Sequence, residues 1–508
     1  MNLAILHYHL DPGGVTRVIE NHLRAMDAAA AAARQVAVLH GGRTAGWPAD
    51  LARRLSNTHV SLHVVPGLDY DDGSPASSPA LAATIRETLA GLRFRQDDTV
   101  LHAHNHSLGK NVSMPAAITD LASDGWRLLL QIHDFAEDFR PANYLRLIEA
   151  FGTSCAATLY PQAEHIHYAV LNGRDHAHLA EAGVPSERLH TLPNPVPAPD
   201  GMVDRDAARA RLERALKVEP DRRYVLYPVR GIRRKNLGEA VLLSLLDRRE
   251  TLYGVALAPL NPAAKPFYER WRQFADAFHC PIRFGTGDVR EGGLPFEEHV
   301  AAADAAVTTS VAEGFGMAFL EPWLAGLPLS GRDLPAITSD FRAAGVNFDR
   351  LYERLSVPID WVGRDRFTEA LRQAGDRLLI DYGRRPLPMH AWRSIVDHKT
   401  AAGTVDFGDL DETLQEAVLR RLVRSSASCS ELRALNPQLE AVPDAAVVAA
   451  NASSIRSAYS LESIGRQLVD LYGQLLSTPA AAVDHPVSGE TLLSRFLDVS
   501  RFRLIRDR

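Results

Sequence analysis

The chain has few cysteines. Its 508 residues include three, Cys155, Cys280 and Cys429, which lie far apart and form no Cys-x-x-Cys unit. This excludes a disulfide framework and a thiolate zinc site, and it suits a reducing compartment. No apolar run approaches the ~20 residues that a membrane helix needs. The amino terminus enters an apolar segment, Asn2–His7, with no basic stretch and no small-residue cleavage site before it. No secretory leader is therefore expected, and the expected setting is cytoplasmic without stable membrane insertion. Positive charge is not in excess. The net charge of −6 argues against nucleic acid or an anionic membrane as main partner.

What remains is ordinary for a soluble globular protein, 46% hydrophobic and 23% charged. The length calls for at least two domains. Short apolar runs alternate with helical periodicity. Strands are expected at Asn2–His7, Gln35–His40, Val60–Val65, Thr99–Ala103, Arg127–Ile132, Tyr168–Leu171 and Leu189–Leu192. A second series is expected at 224–228, Leu252–Leu257, Ile282–Gly285, Ala305–Ser310, Leu327–Gly331 and Val357–Val362. Such alternation predicts doubly wound, mostly parallel sheets, with ligands at the C-terminal strand ends. Between the series, residues 192–199 hold four prolines in eight and read as a linker. The expected domains are 1–195, 196–480 with a helical insertion at about 381–448, and a C-terminal helical tail at 481–508. Insertion and tail fit dimer contacts, a lid, or packing on the second domain.

Several strand ends carry chemistry. Ala305–Ser310 runs into Glu313-Gly314-Phe315-Gly316-Met317, and a helix is expected from Met317 with Glu321 one turn inside. Backbone N–H groups and two carboxylates there suit a ligand rich in hydroxyls. After 224–228 come Arg230, Arg233, Arg234 and Lys235, four cations in six residues, a compact site for a diphosphate. Gly13-Gly14 follows the first strand, where backbone N–H groups can face a phosphate or sugar, but no Gly-x-Gly-x-x-Gly fingerprint indicates a nicotinamide. His102, His104 and His106 would share one face of an extended strand. With no acidic ligand spaced nearby, hydrogen bonding or packing is favoured over metal binding. Leu128–Ile132 delivers His133 to a sheet edge, where its ring can bond a substrate hydroxyl.

In order and spacing these elements resemble the GT-B glycosyltransferases, and more narrowly the retaining, glycogen-synthase-like family 4. The resemblance covers residues 1–362 and 453–476. Glu313 and Glu321 match its Glu-x7-Glu. Arg230 and Lys235 match its Arg-x4-Lys, although Val229 and Asn236 stand where the family has glycines. Gly13-Gly14 and His133-Asp134 match its glycine turn and its His-Asp. The usual glycine-rich loop is replaced by Gly331-Arg-Asp-Leu-Pro335.

The resemblance implies two Rossmann-like domains facing each other across a cleft. It also implies transfer of a hexose, with retention, from a UDP-, GDP- or ADP-sugar, with no cofactor and no metal. It puts Arg230 and Lys235 on the diphosphate, Glu313 and the N–H groups of Phe315 to Met317 on the sugar, Glu321 on the ribose, and His133 near the reacting carbon. The acceptor would lie by Gly13, His104, Asn105, His133, Asp134 and Arg140. The weakly basic first helix favours a small soluble acceptor, such as a sugar, polyol or hydroxy acid. A nucleotide-sugar epimerase and an inactive nucleotide-sugar-binding scaffold are the rival readings.

Overall fold

The computed structural model describes residues 1–29, 35–71, 77–199, 203–219, 222–289, 293–440, 444–484 and 487–506. The chain divides into two compact units. The first is Met1–Pro197, Asp381–Gly383 and Ser457–Asp498. The second is Ala198–Ile380, Arg384–Arg456 and Val499–Arg508.

The first unit is built on seven parallel strands: β1 (Asn2–Leu6), β2 (Gln35–His40), β3 (Val60–Val64), β4 (Thr99–His104), β5 (Arg127–Ile132), β6 (Ile166–Val170) and β7 (Leu189–Thr191). Their order is β3-β2-β1-β4-β5-β6-β7. The winding therefore reverses between β1 and β4, and the loops leaving these two strands diverge and open a crevice. The central strands are buried on both faces, hence their near-continuous apolar sequence. Leu3 and Ile5 pack on one face with Ile19, Leu23 and Met26 of the first helix, Gly14–Ala28. Leu6, Leu101 and Leu130 line the other.

The second unit repeats the plan with β8 (Arg223–Arg230), β9 (Thr251–Leu257), β10 (Ile282–Phe284), β11 (Ala305–Thr308), β12 (Leu329–Arg332) and β13 (Leu351–Tyr352). The order is β10-β9-β8-β11-β12-β13, so the winding reverses between β8 and β11. Pro228, which has no N–H to give, lies inside β8, and the ladder with β9 slips between Tyr227 and Arg230.

Three expectations are corrected. Val357–Val362 is not a strand of the main sheet. Ser356–Pro358 (β14) pairs antiparallel with Thr404–Asp406 (β15), and Ile359–Val362 is helical. The sixth sheet strand is the two-residue β13. The closing helix Leu461–Ser477 belongs to the first unit, not the second. Its Ile464, Leu468, Leu471, Tyr472 and Leu475 fill the core beside the first helix, and a Cβ on Gly465 would lie 2.1 Å from the Ala25 carbonyl. The tail is shared. Leu492 and Phe496 enter the first unit's core. Arg503 reaches Asp406 of the second at 3.2 Å. Residues 485–486 and 507–508 of the tail, and 441–443 of the insertion, lie outside the described residues.

The insertion is integral to the second unit. Arg332, fully buried at the end of β12, donates to Glu239 (2.6 and 2.9 Å) and to Asp406 of β15 (2.8 and 2.8 Å). Tyr352 adds a hydrogen bond to Glu239 at 2.9 Å. This is what replaces a glycine-rich loop after β12. Removing one member of such a buried network leaves uncompensated charge and costs about 3–5 kcal/mol. Arg332→Ala is expected to lower the unfolding midpoint of the second unit in calorimetry. A wild-type midpoint would contradict this account of the insertion.

Candidate functional site

In the second unit the motifs meet at the reversal point. β8 ends in Arg230, and the chain turns through Arg233–Lys235 into the helix Leu237–Leu246. The turn is clamped from below. The Tyr227 hydroxyl donates to the Lys235 carbonyl at 2.9 Å, and the Thr309 hydroxyl does so at 2.8 Å. Asn236 takes the left-handed conformation at φ 51° and is gripped by Gln415 of the insertion at 2.8 Å. A glycine would fit that conformation, but asparagine tolerates it and adds the anchoring amide.

The four cations do not form one anion cradle. Arg233 turns away and pairs with Glu412 through both carboxylate oxygens. Its partner lies in the insertion, which local sequence cannot reveal. Arg234 donates to Glu313 at 2.8 Å and to the Ala312 carbonyl at 2.9 Å. Lys235 is almost buried and its Nζ is bonded to Glu313 Oε1. Arg230, about half-buried, has no side-chain ion pair among the described residues. Burial lowers its pKa, yet a guanidinium stays charged at neutral pH.

Burial drives the Glu313 carboxyl up, but the Lys235 ammonium and the Arg234 guanidinium outweigh it and hold it at about 2. It is thus an anion throughout the neutral range. The Lys235 ammonium has three donors and spends one on Glu313.

The segment after Glu313 differs from expectation. No long helix starts at Met317. A single 3₁₀ turn, Met317–Phe319, leads to the four-residue helix Glu321–Leu324, with Pro322 inside its first turn. Glu321 is therefore the first residue of a short helix, near enough to Lys235 to favour its charge. Gly316 sits at φ 94°, and a Cβ there would meet Phe319 at 2.9 Å. Phe315 is buried edge-on against Phe341, while Met317 is partly exposed.

In the first unit, Gly13 and Gly14 are exposed after β1, and a Cβ on Gly14 would meet nothing within 4 Å. Their backbone is extended or helical, so they leave room for a ligand without being needed for the turn. His133, at the end of β5, is 6% exposed. Its Nε2 lies 2.8 Å from His104 Nδ1. The Asn105 side-chain oxygen accepts from the backbone N–H groups of His133 (2.7 Å) and Asp134 (3.1 Å).

Two residues expected on the acceptor are thus corrected. His104 is fully buried behind His133, and the Asn105 side chain is spent on the loop. Both position His133. His106 leaves the row, because Asn105 turns left-handed at φ 57°, and bonds the Leu159 carbonyl at 2.8 Å. Asp134 and Arg140 form a partly exposed ion pair. Sequence reasoning passed over His22. Glu137 is buried against the Tyr160 hydroxyl at 3.1 Å, and burial pushes its carboxyl up to about 7.

The chain matches no protein-family model. It is 25% identical over 448 residues, 86% of this chain and 84% of the relative, to a mannosylglucosyl-3-phosphoglycerate synthase of Petrotoga mobilis. Among solved structures it is similar to a sucrose-phosphate synthase of Thermosynechococcus elongatus, with TM-score 0.54, 14% identity, and 94% of this chain and 99% of that one covered. It is also similar to Anabaena HepE in complex with UDP and glucose, with TM-score 0.52, 12% identity, and 93% and 99% covered. The relative and these neighbours are glycosyltransferases, and this chain has their GT-B fold. The protein is an enzyme of the glycosyltransferase class.

The Glu137 carboxyl gives a pH test. Its folded pKa lies above the usual glutamate value of 4.5, so its contribution is complete below 4.5 and lost as pH rises through about 7. The loss is at most on the order of 3 kcal/mol. Glu137→Gln is expected to raise Tm at pH 8 and leave it little changed near pH 5. Equal shifts at both would remove the buried charge as the cause.

Proposed function

We propose that the protein transfers a hexosyl group from a nucleoside-diphosphate sugar to a hydroxyl of a small polar acceptor, with retention of anomeric configuration. The observation that carries this is the nearly buried Lys235–Glu313 pair, joined by the partly exposed Arg234, on the loop that follows Arg230 at the reversal point of the second sheet. Cleaving the anomeric C–O bond builds negative charge on the departing diphosphate, and fixed cations there lower the barrier. Arg230 and the two remaining Lys235 donors meet that charge, so added metal is not required. Glu313, already bonded to Lys235, Arg234 and Ser310, is the carboxylate proposed to meet a sugar hydroxyl. The N–H groups of Phe315 to Met317 face the same sugar, and Glu321 takes the ribose hydroxyls. Backbone at Gly13 and Gly14 leaves space for the donor to approach.

His133, held at Nε2 by His104, offers Nδ1 to a hydroxyl near the reacting carbon. Retention follows most simply from front-face attack, in which the leaving phosphate oxygen takes the acceptor proton. No carboxylate is singled out for the opposite face, as a double displacement requires. Glu137 is buried against Tyr160, and Asp134 is tied to Arg140.

The Petrotoga relative's name joins mannosyl, glucosyl and phosphoglycerate groups. The acceptor here is by that likeness a phosphorylated hydroxy acid or its glycoside, and the partly exposed Arg140–Asp134 pair would meet its polar groups.

A thermal-shift screen of UDP-, GDP- and ADP-sugars, then product analysis with such acceptors, tests the reading. Arg230→Ala is expected to lower kcat by about 10²-fold or more with Tm unchanged; Lys235→Ala is expected to lower kcat at least as much and Glu313→Ala to cripple kcat/KM, each also lowering Tm because a buried charge loses its partner. Near-wild-type turnover in either cation variant, a requirement for added Mg2+, or conversion of the nucleotide sugar with no acceptor present would each overturn it.

A further inference from the structure

Beneath the first helix lies a patch of imidazoles that the transfer reaction does not use directly. His22 comes from that helix, and His102 and His104 come from β4. All three are fully buried, and each offers a ring nitrogen within 4.8 Å of the other two. Both nitrogens of His22 and Nε2 of His104 lack a hydrogen-bond partner, as does the neighbouring Gln131 Nε2. Four unpaired polar atoms in one dry patch are unusual, since each costs about 1–3 kcal/mol.

The surroundings fit a metal better than a plain core. His104 Nδ1 is anchored on His133, the outer hydrogen bond that orients a metal-binding imidazole and leaves its other nitrogen free to ligate. His102 is held at Nε2 by Gln131 Oε1 (2.9 Å) and at Nδ1 by the Tyr472 hydroxyl (2.8 Å). Burial keeps all three rings neutral, the state that ligates.

We propose that His22, His102 and His104 form a buried binding site for a zinc-class divalent transition-metal ion. Metal–nitrogen bonds of about 2.0–2.1 Å bring tetrahedral ligands to about 3.4 Å from one another. Small rotations of the three rings close the difference, and His102 exchanges one of its two partners for the ion. Among the described residues no carboxylate joins the set. The Tyr472 hydroxyl touches His102 and, kept a neutral phenol by its burial, can face the fourth position through its oxygen. The ion would tie the first helix, the sheet and the closing helix together. Through His104 it would also fix the ring of His133. This inference does not depend on the donor reading. The histidine spacing 102/104/106 had pointed away from metal. The candidate set differs because His22 replaces His106.

The test uses untagged full-length protein, stripped with a chelator, equilibrated with zinc chloride and desalted. Elemental analysis is expected to find one zinc per chain in the wild type and none in His22→Ala. Cobalt(II) is expected to give intense tetrahedral d–d absorption in the wild type alone. Zinc should raise the Tm of stripped wild-type protein in a concentration-dependent way, a readout that stands even if His22→Ala folds poorly. Zinc content equal in the two proteins, or no zinc-dependent rise in wild-type Tm, would overturn the proposal.

Discussion

A lysine and a glutamate that are both almost out of water can persist only if each satisfies the other. Lys235 and Glu313 do this at the centre of the second unit's crevice, and much of that unit is arranged to hold them. Tyr227 and Thr309 fix the backbone that carries the lysine. Arg234 adds the second cation that keeps the carboxylate ionised. Gln415 and Glu412 reach in from the insertion to brace the same turn. Of the roles expected for the insertion, packing on the second domain is the one these contacts show. The insertion supplies the buttress for the loop that would grip a diphosphate.

The same logic runs through Arg332. Its guanidinium joins β12, the helix Leu237–Leu246 and β15. It occupies the place where the resemblance led one to expect a glycine-rich loop.

Much of the fold was legible because its central strands are almost fully buried. Runs such as Leu128–Ile132 have no polar side to confuse with a helix, and their alternation with helices points to parallel sheets. The misses have physical causes. β13 is two residues long and leaves no periodic trace. β14 pairs with a segment far along the chain, so its strand character is not local. An amphipathic helix records that one face is buried but not against what, which is why Leu461–Ser477 was given to the wrong unit. The positions of Arg230, Lys235, Glu313 and His133 at or just after strand ends could be read from the sequence. The burial of His104 and the turning away of Arg233 could not, because both depend on partners distant in sequence.

The most direct measurement is a structure of the protein with a nucleoside-diphosphate sugar bound. The account predicts diphosphate oxygens on Arg230 and Lys235 Nζ, with sugar hydroxyls on Glu313 and the Lys235–Glu313 contact retained. A diphosphate seated away from Arg230 and Lys235, or a donor that makes no contact with Glu313, would contradict it.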